Sequence, residues 1–515
     1  MITLKKLEAS DLAQIRDRAV YCCEKSEAYL SELKSEFPLL AERIAGITDD
    51  NKRNQGSFVW EGREIPVRDF SWLLQTDLTE SILLITSDYH REVYEKLCEM
   101  LPASGPHEVI YYYAGRETEI ELAYRRQYEN TGLKNIILFR SGPHASSYIK
   151  GMDFADNARA LFEYMLAEHF NEKYELIWLV KNPEEFGRYQ GIRNVSFLSF
   201  DWSVSEDREK RDRYYRALCL AGYIFFTDAY GFARNARPDQ IRVQLWHGCG
   251  FKTRVNFVRC EKRYEYTTVI SKLYAKIHQD IYGLRPDQTL VTGYAKEDWL
   301  FHPREGAPDE LGIPEADKYL FWLPTFRRAR GELAVLNENE PEGQTGLPVV
   351  DTCEKLQKLE EILAGLNTVL MIKLHPFQDR ERTGQIGTEH IRLLEHDLLV
   401  EKDIQINQLL GYADGLISDY SSAAVDYMLL DRPVGFTLDD VEEYEKSRGF
   451  VFDNIREWLP GAGLFTFDQF CKFVEDTVRG RDPDREKRRR LLHIMHRYRD
   501  DQNCRRIVEA LRIRP

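Results

Sequence analysis

Short, nearly unbroken apolar runs alternate along this chain with longer stretches in which apolar residues recur every three or four positions. The runs read as strands buried on both faces, and the stretches between them as amphipathic helices, the pattern of parallel α/β domains. Early in the chain Ser81 to Thr86 reads as a buried strand, His90 to Leu101 as a helix, and Val109 to Tyr113 as a further strand. A helical segment is expected before them, over residues 10–46. Residues 1–130 therefore look like half of a small Rossmann-type unit. No phosphate-binding glycine fingerprint follows its first strand, so no chemistry is assigned there.

A second series starts with a strand over Asn135 to Phe139, followed by a helix from Asn157 to His169 and a strand over Glu175 to Val180. Further strands are expected at Tyr223 to Thr227, Arg242 to Leu245 and Thr268 to Ser271, making one doubly wound domain over residues 131–300. A third series runs through Tyr319 to Leu323, Thr368 to Leu374, Leu398 to Glu401, Gly415 to Ser418 and Val434 to Thr437. It fills a domain over residues 301–515, entered through a linker at 303–315 and carrying a long exposed loop at 331–350. Ligands in such sheets sit at the carboxyl ends of the strands, so motifs just beyond predicted strands carry most weight.

Composition narrows the function classes. The 515 residues are too many for one core and suggest about three domains. A hydrophobic fraction of 43% supports packed cores. The net charge of -14 argues against nucleic acid as a partner, because phosphate backbones are held by excess Lys and Arg. One basic run, Arg485, Lys487, Arg488, Arg489 and Arg490, reads either as a solvated helix face or as an attraction to anionic lipid or polymer. The nine cysteines are scattered and form no Cys-x-x-Cys pair, which fits reduced thiols in a cytoplasm and no zinc site. The first residues do not form a signal segment, and no run approaches the roughly 20 apolar residues of a membrane span. The expected place is the cytoplasm, with access to the inner face of the membrane if the substrate is lipid-linked.

Four segments lie just beyond predicted strands. In Gln244-Leu245-Trp246-His247-Gly248, a histidine before a glycine can project an imidazole suited to proton transfer near neutrality. In Pro324-Thr325-Phe326-Arg327, the guanidinium of Arg327 is suited to a phosphate. In Lys373-Leu374-His375-Pro376, alternation puts Lys373 and His375 on one side of the chain. Ile417-Ser418-Asp419-Tyr420-Ser421-Ser422 passes from a strand through a polar turn into a helix, exposing backbone N–H groups and two hydroxyls to a phosphate. The alternative at the last is ordinary helix capping by Asp419 or Ser421, and at the histidines a structural role.

Taken in order, these segments resemble the CDP-glycerol glycerophosphotransferase family, the polymerases and primases of teichoic acid-type chains. Asp426-Tyr427, Arg432-Pro433, Glu443-Tyr444, Arg448-Gly449-Phe450 and the terminal stretch Asp501 to Leu511 share in the resemblance, which spans residues 131–515. It implies a GT-B type pair of Rossmann-like domains, with an additional N-terminal α/β domain outside it. It also implies a CDP-linked donor held by the C-terminal domain, CMP release and no metal. His247 becomes the candidate general base and His375 the partner of the donor phosphate or leaving group. Ser421 and Ser422 would cradle the pyrophosphate, with Arg327, Lys373, Asp419 and Arg448 completing the donor side. Two departures touch donor or acceptor identity: Gly293-Tyr294-Ala295-Lys296-Glu297-Asp298 stands where a Gly-x-Pro-Arg-Asn-Asp-like segment is expected, and Leu459-Pro460-Gly461-Ala462-Gly463 lacks a second proline. Open alternatives are a CDP-ribitol donor, a nucleotide-sugar glycosyltransferase, and a non-catalytic module binding anionic polymer through the basic run.

Overall fold

A computed structural model describes residues 2–15, 17–50, 54–87, 90–102, 108–142, 149–227, 232–253, 260, 262–324, 344–374, 386–447 and 449–515. Its contacts fall into two compact units. The first comprises residues 1–132 with 200–220 and 233–237, and the second residues 133–199, 221–232 and 238–515.

The first unit is built on one sheet. Its strands are β1 (Thr3–Lys6), β2 (Ala19–Cys23), β3 (Ile44–Thr48), β4 (Gly56–Trp60), β5 (Arg63–Arg68), β6 (Ser81–Ile85) and β7 (Val109–Tyr112). They lie in the order β1-β7-β6-β2-β3-β5-β4, parallel except for the β4–β5 hairpin. Both faces are covered: Val20, Cys22, Ile82 and Leu84 enter one core and Cys23, Leu83 and Ile85 the other. That two-sided burial is why β6 reads as an unbroken apolar run. The expected helical segment over 10–46 is corrected, since β2 and β3 lie within it and only Glu27–Glu36 forms a helix of ten residues there. Strands of five residues are too short for period-based reading to separate from helix.

The second unit contains two sheets. Strands β8 (Lys134–Arg140), β9 (Glu175–Val180), β10 (Val195–Ser199), β11 (Ala221–Phe226), β12 (Ile241–Gln244), β13 (Tyr266–Val269) and β14 (Thr289–Val291) form the first. Strands β15 (Lys318–Trp322), β16 (Thr368–Ile372), β17 (Ile391–Leu393), β18 (Gly415–Ser418), β19 (Val434–Thr437) and β20 (Ala462–Leu464) form the other. Their orders are β10-β9-β8-β11-β12-β13-β14 and β17-β16-β15-β18-β19-β20. Counted within each sheet, both follow the doubly wound 3-2-1-4-5-6 arrangement, the first with one extra strand. The strand order reverses beside β8 and β11, and again beside β15 and β18. Such a reversal opens a crevice at the carboxyl ends, because successive crossovers leave in opposite directions.

The cores follow from register. Phe139, Trp178 and Phe225 are Cα partners on β8, β9 and β11, and their rings stack at 5.4 and 5.5 Å. Helix Asp156–Ala167 covers this ladder with Leu161, Phe162 and Met165. The final helix, Asn503–Ala510, returns to the same core through Ile507 and Val508. The other sheet packs Trp322 on Phe470 at 4.9 Å, with Leu320, Leu370 and Ile417 around it. Between the two halves, the buried Arg159 guanidinium meets the Asp403 carboxylate at 2.8 Å.

Two further expectations are corrected. Leu398 to Glu401 belongs to the helix His396–Glu401, and the strand is β17 just before it. Leucine is a good helix former, and a three-residue apolar run does not distinguish the two states. The part of the 331–350 loop within the described residues is exposed only at Gln344: Thr345, Leu347, Val349 and Val350 are buried. The 303–315 linker folds into a short helix, Ala307–Glu310, with Leu311 and Ile313 buried after it.

The basic run lies on the helix Arg485–Met495. Its Arg488 side chain is wholly buried and bonds Asp431 and Asp482, while Arg485 and Arg489 also pair with Asp431. Three of its five cations are thus matched by acids. Among the described residues no helix is long and apolar enough to cross a membrane. Removing one partner of a buried ion pair leaves the others uncompensated. Arg488→Met is therefore expected to destabilise the second unit by about 3–5 kcal/mol, read as a lower urea midpoint. An unchanged midpoint would show that Asp431 and Asp482 are solvated without it.

Candidate active site

The strand-end loops of the two sheets in the second unit meet. β12 ends at Gln244, Leu245 is buried, and Trp246 takes a left-handed backbone with φ 57°. That conformation is costly for a bulky residue and needs outside support. The support is local: the Gln244 side-chain oxygen accepts the Trp246 N–H at 3.1 Å. On the other side, the fully buried Asn157 donates from Nδ2 to the carbonyls of Trp246 at 2.8 Å and Leu245 at 3.3 Å. The turn throws His247 to the surface, its ring stacked on Trp246 with centroids 4.8 Å apart.

The second half of Asn157 reaches further. Its Oδ1 accepts the backbone N–H of Lys296 at 3.0 Å. The Lys296 ammonium in turn donates to the His247 carbonyl and lies 3.3 Å from Asp156 Oδ1 and 3.5 Å from Asp426 Oδ2. Burial pulls this ammonium down, but the Asp156 and Asp426 carboxylates outweigh it and hold its pKa above the ordinary lysine value. Burial pushes Asp426 up, with Lys296 opposing and Asp156 reinforcing the shift. Burial, then the Asp426 carboxylate, pushes Glu297 well above the ordinary carboxylate range. Beneath the loop, the Cys249 thiol sits 3.0 Å from the Tyr294 hydroxyl, and burial lowers His278 to about 3.

The other wall is the turn after β18. Asp419 and Tyr420 are fully buried, and the Tyr420 hydroxyl donates to Asp440 at 2.9 Å. Its ring lies 4.3 Å from Tyr444 and 5.0 Å from Phe450. Ser421 Oγ accepts the Ala423 N–H at 3.3 Å, a hydrogen bond within the turn that leads into Ala423–Tyr427, whose N-cap residue is Ser422. Ser422 faces the histidine loop. A Cβ on Gly248 would collide with Ser422 Oγ and come within 2.8 Å of its Cβ, and one on Gly250 would lie 3.3 Å from that Cβ. Beyond the loop, Lys252 bridges Phe450 in antiparallel fashion, with Val451 N–H to Phe251 O at 2.8 Å.

The structure therefore brings the His247 loop against Ser422, although the two lie in different sheets. Lys373, half-buried, donates from Nζ to the Leu374 carbonyl at 3.2 Å. Arg327, His375 and Arg448 lie outside the described residues. Sequence reading assigned no role to Asn157, Asp156, Lys296 or Asp426. Signals existed for two of them: Asp426 stands in the Asp426-Tyr427 motif, and Lys296 in the segment that departs from the expected pattern.

Two Rossmann-ordered sheets meeting through their strand-end loops have the architecture of a GT-B type fold. Residues 122–512 match the family described as CDP-Glycerol:Poly(glycerophosphate) glycerophosphotransferase, and the chain belongs to that family of phosphotransferases. It is 25% identical over 334 residues to "Teichoic acid ribitol-phosphate polymerase TarK" of Staphylococcus aureus, covering 61% of this chain and 61% of that protein. It is 27% identical over 359 residues to "Teichoic acid glycerol-phosphate transferase" of the same organism, covering 64% of this chain and 80% of that protein. Among solved structures, that of the "Wall Teichoic Acid Polymerase TagF" superposes with a TM-score of 0.56 at 18% identity, over 82% of this chain and 96% of that one. The last likeness establishes the shared fold.

The close approach at Gly248 has a direct consequence. With φ 152° and Ser422 against it, this position excludes any side chain without movement of the loop or the serine. Gly248→Ala is expected to lower kcat at least 10-fold while the far-UV spectrum stays unchanged. A fully active Gly248→Ala would mean that the His247–Ser422 spacing is not critical.

Proposed function

We propose that this enzyme transfers a polyol phosphate, glycerol phosphate foremost, from a CDP-linked donor to a hydroxyl of a glycan, glycolipid or polyol-phosphate chain. The observation that supports the reading is the approach of the loop carrying the exposed His247 to Ser422, through Gly248 and Gly250, at the start of a strand-to-helix turn. The acceptor hydroxyl loses its proton to His247, and its oxygen attacks the phosphorus bearing the polyol. The bond from that phosphorus to the bridging oxygen breaks, and CMP leaves with the electron pair. Positioning and charge stabilisation supply most of the catalysis in such transfers. Ser422 and the backbone N–H groups of the turn are assigned to the pyrophosphate. Asp419, wholly buried, shapes the turn, and Ser421 holds it through its hydrogen bond from the Ala423 N–H. By family resemblance, His375 meets the leaving group, with Arg327, Lys373 and Arg448 balancing phosphate charge. No metal has a role in this reading, so a chelator leaves the rate unchanged.

A ribitol donor is the second reading, favoured by the likeness to the ribitol-phosphate polymerase TarK. A membrane-linked acceptor would place the enzyme at the inner face of the membrane. Arg490, His493 and Ile494 are exposed together on the Arg485–Met495 helix, with Arg497 exposed just past its end, and this face carries that contact. The expectation is sedimentation with anionic but not neutral vesicles, lost in Arg490→Glu/Ile494→Glu.

The deciding experiment offers CDP-glycerol, CDP-ribitol and nucleotide sugars with a polyol-phosphate acceptor and measures nucleotide release. CMP from a CDP-polyol is expected, and His247→Ala should lower that rate by about 10²–10⁴-fold. Nucleoside diphosphate from a sugar donor would mark a glycosyltransferase. Salt-sensitive polymer binding without turnover would mark a binding module. A normal rate in His247→Ala would remove the assigned base.

A further inference from the structure

Lys296 has no part in the reaction as written, yet its ammonium is enclosed where the two walls of the site meet. Its three acceptors come from three places in the chain. Asp156 opens the helix Asp156–Ala167, the His247 carbonyl belongs to the loop after β12, and Asp426 lies on the helix Ala423–Tyr427. Asp426 is four residues beyond Ser422, so the two occupy one side of that helical segment. The virtual Cβ of Gly248 that touches Ser422 also lies 3.9 Å from Lys296 Nζ, which puts the cation directly behind the point where loop and turn meet. The Asp426 side chain is 2% exposed, and its Oδ1 has no hydrogen-bond partner among the described residues. A buried carboxylate of this kind keeps its place only with a counter-ion. The Lys296 backbone is itself fixed by Asn157, which also clamps the Leu245 and Trp246 carbonyls.

We propose that Lys296 is a positioning residue, whose ammonium ties the His247 backbone to the helix that follows Ser422 and so sets the spacing between the proton-accepting imidazole and the phosphate cradle. This rests on the transfer reaction proposed above. The ammonium never touches donor or acceptor. It acts through His247 on one side and through Asp426 on the other, and with both carboxylates beside it it stays charged across the working pH range. A displacement of about 1 Å in such a site lowers a rate by about 100-fold.

A purely structural cation makes a different forecast, because neutralising Asp426 would then be its whole task. Lys296→Met leaves Asp426 buried without a counter-ion, and the melting temperature should fall. Lys296→Met/Asp426→Asn removes the stranded charge, and the melting temperature should recover. If Lys296 positions His247, kcat for CMP release from CDP-glycerol stays about 100-fold low in the double variant, with KM for the donor near that of the native enzyme. If kcat recovers with the melting temperature, the proposal is overturned. A second comparison uses His247→Ala as background: a residue acting through His247 causes no further loss of rate there, whereas an independent effect multiplies. Should Lys296→Met fail to fold, Lys296→Arg keeps a cation of different shape and takes its place in this comparison. A lower kcat in the native background but not in His247→Ala supports the proposal, and equal losses or no loss in either overturn it. Full activity of His247→Ala alone would instead count against the proposed reaction.

Discussion

A parallel strand that ends in a sharp loop leaves carbonyls pointing into the protein, and each must find a donor there. At the end of β12 this requirement falls on Leu245 and Trp246, and one side chain meets it. Asn157 carries two donors and an acceptor on one rigid amide. It uses them on the two carbonyls and on the Lys296 N–H, joining helix, loop and the 295–297 turn in one network. The left-handed backbone at Trp246 persists because that network over-determines it. With the tryptophan fixed, His247 has one way to leave the protein, and the glycines after it allow Ser422 to approach.

The rest of the second unit arranges for this contact to exist. Two sheets with the same strand order present their carboxyl ends to a shared region, and the last helix returns to the first sheet after the chain has completed the second. The return buries Ile507 and Val508 and lets Asn503 donate to the Tyr294 carbonyl and to Glu297. The segment that carries Lys296 is thereby held from both ends, by Asn157 from the first sheet and by Asn503 from the chain terminus.

Much of this was legible in the residues. Strands buried on both faces appear as continuous apolar runs, so β6, β8, β9, β11, β16 and β18 could be placed from sequence. Motifs just past β12 and β18 pointed to His247 and Ser422. What remained hidden depends on separation in the chain. The hydrogen bond from Lys296 to Asn157 spans 139 residues, and neither residue type is unusual where it stands. The helix-period and strand-period readings failed where elements were short, over 10–46 and at Leu398 to Glu401, because a few residues do not establish a period. The ion pairs of the basic run were hidden for a related reason: Asp431, which takes up Arg485, Arg488 and Arg489, lies outside it in sequence.

The segment whose departure from the expected pattern touches donor or acceptor identity is fitted to its own surroundings. Gly293 to Asp298 differs from the expected pattern, yet it is packed without slack: a Cβ on Gly293 would run into Asn503, Glu297 and Asp298 both accept hydrogen bonds from buried donors, and Tyr294 and Ala295 are fully enclosed. A point-like ammonium at position 296 reaches three acceptors on three elements, whereas a planar guanidinium would impose its own fork on them. The change in residue type therefore alters the geometry of the junction more than its charge. The pairing of a lysine with Asp156 and Asp426 behind His247 is the feature of this chain most closely fitted to its own loop, and it sits behind the reacting groups rather than among them.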